Sequence, residues 1–176
     1  MLTIRPATPA DVPLILQFIR ELAEYEREPQ AAVATAADLL RDGFGPEPKF
    51  RADIAEWSGE PAGFALYFWN YSTWQGKPGL YLEDLFVRPH FRGKGIGKAL
   101  LVHLAQVALK NNCGRLVWQV LDWNTPSIEF YKSLGAQTMN EWLTMRVTGE
   151  ALVKLATEHS AVSTQQTAAS IESLSD

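Results

Sequence analysis

Arg92-Gly93-Lys94-Gly95-Ile96-Gly97 stands between an apolar run, Leu80–Val87, and a helix-like run that ends at Asn111. Glycine at every second position bares the backbone where a strand hands over to a helix. N–H groups at a helix start, aided by the helix dipole, form a cradle for an anion, most often a phosphate. The stretch therefore predicts a phosphorylated ligand. Counting excludes two phosphate loops. A dinucleotide fingerprint needs glycine at its first, third and sixth positions, and the sixth position from Gly93 is Lys98. A Walker loop needs four residues before Gly-Lys and a hydroxyl after it. Here three residues separate Gly93 from Gly97, and Ala99 follows Lys98.

Other residues have types and spacings suited to proton transfer. Glu83 and Asp84 are adjacent on a strand-like run, so strand alternation points them to opposite faces. Ser127 and Tyr131 lie four apart in a helical stretch and share a face, while Asn124 is placed to cap the helix opened by Pro126. Cys113, with His90 or His103 as its base, could serve a covalent route. Its position in Asn-Asn-Cys-Gly after a helix argues against that. Three scattered histidines and one cysteine show no metal-ligand spacing, so no metal is expected.

The elements that must position these groups are legible from periodicity. Leu2–Arg5 reads as a strand, and Thr8-Pro9-Ala10-Asp11 as a capped helix start. Val12, Ile15, Leu16, Ile19, Leu22 and Ala23 follow at helical spacing. A second helix starts at Thr35 and is expected to stop at Gly43. Arg51–Trp57 and Ala62–Tyr71 read as a hairpin about Ser58-Gly59-Glu60-Pro61. Leu80–Val87 is a further strand, Ile96–Asn111 a helix, Arg115–Leu121 a strand and Pro126–Leu134 a helix with Gly135 as its C-cap. Leu143–Thr148 is expected to close the sheet, before a short helix over Glu150–Ala156. The segmentation predicts one α/β domain over residues 1–156. The polar tail, 157–176, is expected to be disordered.

At 176 residues, 47% of them apolar, the chain can bury a substantial core, and no run approaches the length of a membrane span. With one cysteine and a strand-like run at its start, the sequence predicts a cytoplasmic location. The net charge of −4 is split. Residues 1–84 carry 13 acidic against 7 basic side chains, and residues 85–156 carry 4 against 9. An acidic half suits a cationic substrate, and a basic half suits a polyphosphate. No dense Lys/Arg stripe points to nucleic acid.

Arg92-x-x-Gly95-x-Gly97 resembles the pyrophosphate loop of the GNAT N-acetyltransferases. Leu82-Glu83-Asp84-Leu85-Phe86-Val87 is similar to the family's strand that pairs with the pantetheine arm of acetyl-CoA. Asn124-x-x-Ser127-x-x-x-Tyr131 is similar to its later cofactor-facing helix. Longer stretches resemble the diamine (spermidine/spermine) and thialysine acetyltransferase branch. They are Arg20-Glu21-Leu22-Ala23-Glu24-Tyr25-Glu26, Asp42-Gly43-Phe44-Gly45, Tyr71-Ser72-Thr73-Trp74, Tyr81-Leu82-Glu83-Asp84 and Val120-Leu121-Asp122-Trp123-Asn124. The resemblance implies a mixed, mostly antiparallel, splayed sheet flanked by helices, acetyl-CoA as cosubstrate, a small-molecule primary amine as acceptor, and a homodimer.

The resemblance also implies roles. Leu85, Phe86, Val87, the loop residues Arg92, Gly93, Lys94, Gly95, Ile96 and Gly97, and Asn124 and Ser127 would hold acetyl-CoA. Tyr25, Glu26, Trp74, Glu83 and Asp84 would line the amine site. Amide formation needs a base for the ammonium, donors for the developing oxyanion and an acid for the leaving thiolate. Glu83 is expected as base through a water, the N–H groups near Leu85 and Val87 as donors, and Tyr131 as acid. Ser72 stands where polyamine-acetylating members tend to carry an acid, which favours a smaller or zwitterionic amine.

Overall fold

The computed structural model describes residues 1–158, so all but the first two residues of the tail expected over 157–176 lie outside the described residues. The chain divides into two compact units, Met1–Asn124 and a second that begins at Thr125.

In the first unit, Thr8 and Asp11 form a reciprocal capping box ahead of α1 (Val12–Tyr25), satisfying N–H groups that a helix start leaves orphaned. Arg5 on β1 (Leu2–Pro6) grips both oxygens of Asp11 at 2.8 and 2.9 Å, and its Nε reaches Glu56 at 2.9 Å. Thr35 and Asp38 repeat the capping box for α2 (Ala36–Phe44). Gly43 does not stop that helix. A Cβ there would meet the Phe50 ring at 2.5 Å, so the glycine is needed for close packing, and the helix runs one residue further.

The sheet is open, with strand order β1-β2-β3-β4-β5. β2 (Arg51–Trp57), β3 (Glu60–Ser72) and β4 (Lys77–Val87) form an antiparallel meander, with β1 antiparallel on the edge of β2. α3 (Ile96–Lys110) carries the chain over to β5 (Leu116–Trp118), which pairs parallel to β4, as a crossover helix allows. The sheet is thus mixed and mostly antiparallel, as expected.

Hydrophobic residues cover both faces. On one, Val12, Ile15 and Phe18 of α1 and Leu39 of α2 pack with Ala52, Ile54, Phe64, Leu66 and Phe86. Phe18 stacks on Phe64 with centroids 5.3 Å apart. Each such fully buried side chain stabilises by about 1.5–3 kcal/mol. On the other face, His103 of α3 reaches buried Asp53 at 3.0 Å, and the Tyr67 hydroxyl bonds the same carboxylate.

The second unit contains α4 (Thr125–Ser133) and a helical stretch over residues 149–158. Gly135, at φ +91°, follows α4 in the expected left-handed turn, its N–H bonding the Lys132 carbonyl. The strand expected over Leu143–Thr148 is not formed. Alternating apolar residues make a strand only where another backbone takes up its N–H and C=O groups, and among the described residues the sheet has five strands, none of them over this segment. The strand expected over Arg115–Leu121 is likewise cut to three residues.

Candidate active site

The β4–β5 ladder joins Leu80, Tyr81 and Leu82 to Leu116, Val117 and Trp118 and ends there. Beyond Leu82, no strand among the described residues pairs with the side of β4 that faced β5, and that side is the open side of the sheet. The residue at which the strands part is also irregular. Tyr67 opposes Leu82, but Leu66 opposes Asp84, so Glu83 is the extra residue of a β-bulge.

That bulge reverses the strand's phase. Directly opposed residues share a face. Leu82, opposite Tyr67, therefore lies on the α3 side, where Tyr67 and His103 of α3 both bond Asp53. Asp84, opposite Leu66, and Phe86, opposite Phe64, lie on the α1 side. Glu83 is exposed. In an unbroken strand Asp84 would follow Leu82 to the α3 side.

The bulge also decides where the backbone donors point. The Leu80 N–H faces β5, donating to the Arg115 carbonyl at 3.0 Å. Alternation carried through the extra residue leaves the N–H groups of Leu85 and Val87 on the open side. The Arg88 N–H points the other way, to the Ala62 carbonyl at 2.9 Å, consistent with that phase. The Phe86 side chain is buried against Phe18, so only its backbone can meet a ligand.

On the α1 side, Tyr25 ends α1 and Glu26 caps it. The Tyr25 hydroxyl donates to Asn124 Oδ1 at 3.2 Å, and its ring lies 6.3 Å from that of Trp123. The guanidinium of Arg92 stacks 4.6 Å over Tyr25 and 5.9 Å from Phe86, while its Nε donates to the Val87 carbonyl. Burial raises the Glu26 carboxyl above its usual range. Burial first, then the charges of Glu83 and Glu26, pushes the Asp84 carboxyl up to about 7.

The glycine loop joins β4 to α3. Gly93 and Gly95 have φ +78° and +79°, and a Cβ on either would meet nothing within 4 Å. Their need for glycine is therefore conformational, and the space over the loop is clear. Ile96 is buried by its side chain and offers only its N–H at the helix start. The Lys94 ammonium lies 5.3 Å over Trp57 and 5.0 Å over Phe91. Such a loop fits a pyrophosphate: bared backbone, an open approach and a helix start aimed at it.

Some expected residues are not brought together. Trp74 is exposed on the β3–β4 turn. Asp84 lies seven positions along β4 from Lys77, where the strand starts, which at about 3.3 Å per residue puts Trp74 roughly 20 Å or more from the Asp84 site of its own chain. Ser72 is buried at the same end, accepting the Gln75 N–H at 3.3 Å. Ser127 and Tyr131 share a face of α4, in the second unit. Sequence reading missed Arg92 as a partner of Tyr25, and nothing in the local sequence signals that pairing. Among the described residues, no three His, Cys, Asp or Glu side chains are grouped as metal ligands, and no helix is long and apolar enough to cross a membrane.

Comparison with known proteins agrees with this geometry. Residues 15–136 match the acetyltransferase (GNAT) family. A thialysine N-epsilon-acetyltransferase of Bos taurus is 42% identical over 164 residues, covering 87% of this chain and 96% of that protein. The L-ornithine N5-acetyltransferase of Arabidopsis thaliana is 35% identical, covering 85% of each. Among solved structures, an integron cassette protein from the mobile metagenome of V. cholerae superposes with a TM-score of 0.75 at 31% identity, covering 88% of this chain and 97% of that one. An open sheet parted beyond Leu82, a glycine loop at the start of α3, and relatives of this similarity place the chain in the GNAT family, as an N-acetyltransferase.

Proposed function

We propose that the protein transfers acetyl from acetyl-CoA to a primary amine of a small, cationic metabolite, a diamine or a thialysine-like amino acid, by direct attack in a ternary complex. The observation that carries this reading is the junction at Asp84. One residue along β4 from a desolvated carboxyl on the α1 face, the backbone opens and presents the N–H groups of Leu85 and Val87.

Burial raises Glu26, and burial raises Asp84 first, followed by the charges of Glu83 and Glu26, both of its own sign. A bound ammonium would relieve that repulsion, whereas a neutral or anionic acceptor would not. The two relatives named for thialysine and L-ornithine act on small amines, which favours the same class here.

Acetyl-CoA supplies the acetyl group as an activated thioester. The backbone of Gly93, Lys94, Gly95, Ile96 and Gly97 would hold its pyrophosphate, with Asn124 and Ser127 further along its length. The Leu85 and Val87 N–H groups would donate to the thioester oxygen as charge develops there. Tyr131 would return a proton to the sulfur, and the carboxylates of β4 would take one from the ammonium. Tyr25 and Glu26 would line the amine site. Trp74 would reach such a site only from a second copy, in keeping with a homodimer.

The test is mass-spectrometric detection of products from acetyl-CoA with thialysine, lysine, ornithine, putrescine, spermidine, spermine and a lysine peptide. Acetylation of a free diamine or amino acid in preference to the peptide is expected. Turnover of the peptide alone would overturn the substrate class.

A further inference from the structure

Resting on the reading that acetyl-CoA sits on the open side of β4, we propose that Arg88, closed on Glu21, is a positioning residue for the acetyl group. It holds the one-sided end of β4 so that the N–H groups of Leu85 and Val87 stay aimed at the thioester oxygen. The need for such a hold follows from the sheet. From Glu83 to Val87, β4 has β3 on one side and no strand among the described residues on the other. A strand bonded along one edge holds its outward N–H groups less firmly than one bonded along both. Donors help a transition state most when folding has already fixed them in place.

Arg88 supplies that restraint from three directions. Its Nε and Nη2 donate to the two carboxylate oxygens of Glu21 on α1, both at 2.9 Å. Its Nη1 donates to the Pro61 carbonyl of β3 at 3.0 Å, and its backbone N–H to the adjoining Ala62 carbonyl at 2.9 Å. The guanidinium also lies 4.7 Å from the centre of the Phe18 ring, three residues before Glu21 and so on the same face of α1. Phe18 in turn stacks on Phe64, which stands opposite Phe86 in the β3–β4 register. At the next pair, Gly63 opposite Val87, β3 presses so close that a Cβ would run into the Phe86 carbonyl. One side chain thus ties α1 and β3 to the residue that follows Val87.

The chemistry of the pair suits rigidity. A planar fork on a carboxylate has one preferred geometry, which the single rotating ammonium of a lysine cannot copy. The side chains of Arg88 and Glu21 keep 18% and 26% of their exposure, so salt screens them less than an open surface pair. Small shifts matter here, because a misplacement of about 1 Å can cost roughly 100-fold in rate.

The experiment uses the full chain labelled with nitrogen-15, bound first to CoA and then to acetyl-CoA, with no amine present. The two complexes differ only by the acetyl group, so the amide proton shifts of Leu85 and Val87 should differ between them. Arg88→Lys and Glu21→Gln should each reduce that difference by about half or more. With whichever amine the wild type acetylates, each should lower kcat about 10–100-fold and change KM for acetyl-CoA by less than about threefold. The double variant should lose no more than about twofold beyond the worse single, since both substitutions break one joint. Glu21→Gln keeps the shape of the joint and carries the test if Arg88→Lys folds poorly. Shift differences and kcat that survive in both variants, losses that add in the double variant, or a loss seen in KM alone would overturn the assignment. Wild-type amides that do not distinguish acetyl-CoA from CoA would instead overturn the placing of acetyl-CoA on the open side of β4, and this inference with it.

Discussion

The Tyr25 hydroxyl donates to Asn124 Oδ1 at 3.2 Å, joining the end of α1 to a residue 99 positions later in the chain. The bond fixes the ring under the Arg92 guanidinium, which itself reaches back to the Val87 carbonyl beside the opening of the sheet. Tyr25→Phe keeps the ring and loses the bond to a buried amide. It should cost about 1 kcal/mol of stability and raise KM for the amine more than it lowers kcat. Urea unfolding and steady-state kinetics check both.

Tyr131→Phe should lower kcat by about 100-fold, the usual scale of a lost general acid, while acetyl-CoA affinity by calorimetry stays within twofold. Equal loss of affinity would mean that the tyrosine binds the cosubstrate and donates no proton.

Two glycines should respond differently to alanine. Gly95 is at φ +79° with open space around it, so Gly95→Ala should cost about 1–2 kcal/mol and raise KM for acetyl-CoA several-fold. Gly43→Ala drives a methyl into the Phe50 ring. It should cost about 1–3 kcal/mol and leave that KM unchanged, as thermal unfolding and saturation kinetics would show.

Stability should carry two opposite pH signatures. Asp84 is raised to about 7 from an ordinary 3.8, so between these values the folded state binds more protons than the unfolded one. Its effect is a loss of stability as pH rises from about 4 to 7. Asp84→Asn should flatten that slope and be more stable than wild type at pH 8. Asp11 is lowered, first by its hydrogen bonds from Arg5. That stabilisation is complete above the unfolded value of about 3.9 and is lost as pH falls below it. Asp11→Asn should be less stable at pH 7 and converge with wild type in acid. Urea titrations at pH 2.5, 5 and 8 separate the two effects.

The local pieces follow from near neighbours in the chain. Thr8 with Asp11, and Thr35 with Asp38, start helices because their side chains satisfy orphaned N–H groups within three residues. The apolar spacing of α1 and α3, and the glycines at 93 and 95, are equally local: each fixes a face or a backbone conformation that neighbours in the chain can express. Family membership was legible for the same reason, since the loop and the Leu82–Val87 stretch carry their chemistry in consecutive residues.

The faces that Glu83 and Asp84 take on β4 were set by the fold. Alternation assigns them to opposite faces, but a bulge depends on the register with β3, and register is set by packing across strands rather than along one. For the same reason the sequence overstated two strands: of 115–121 only Leu116–Trp118 pairs with β4, and 143–148 is not a strand. The distance from Trp74 to Asp84 and the stacking of Arg92 on Tyr25 are likewise products of folding. Residues far apart in sequence meet only when the sheet and α1 close on a shared core, and neighbouring residues on one hairpin are carried apart by the length of its strands.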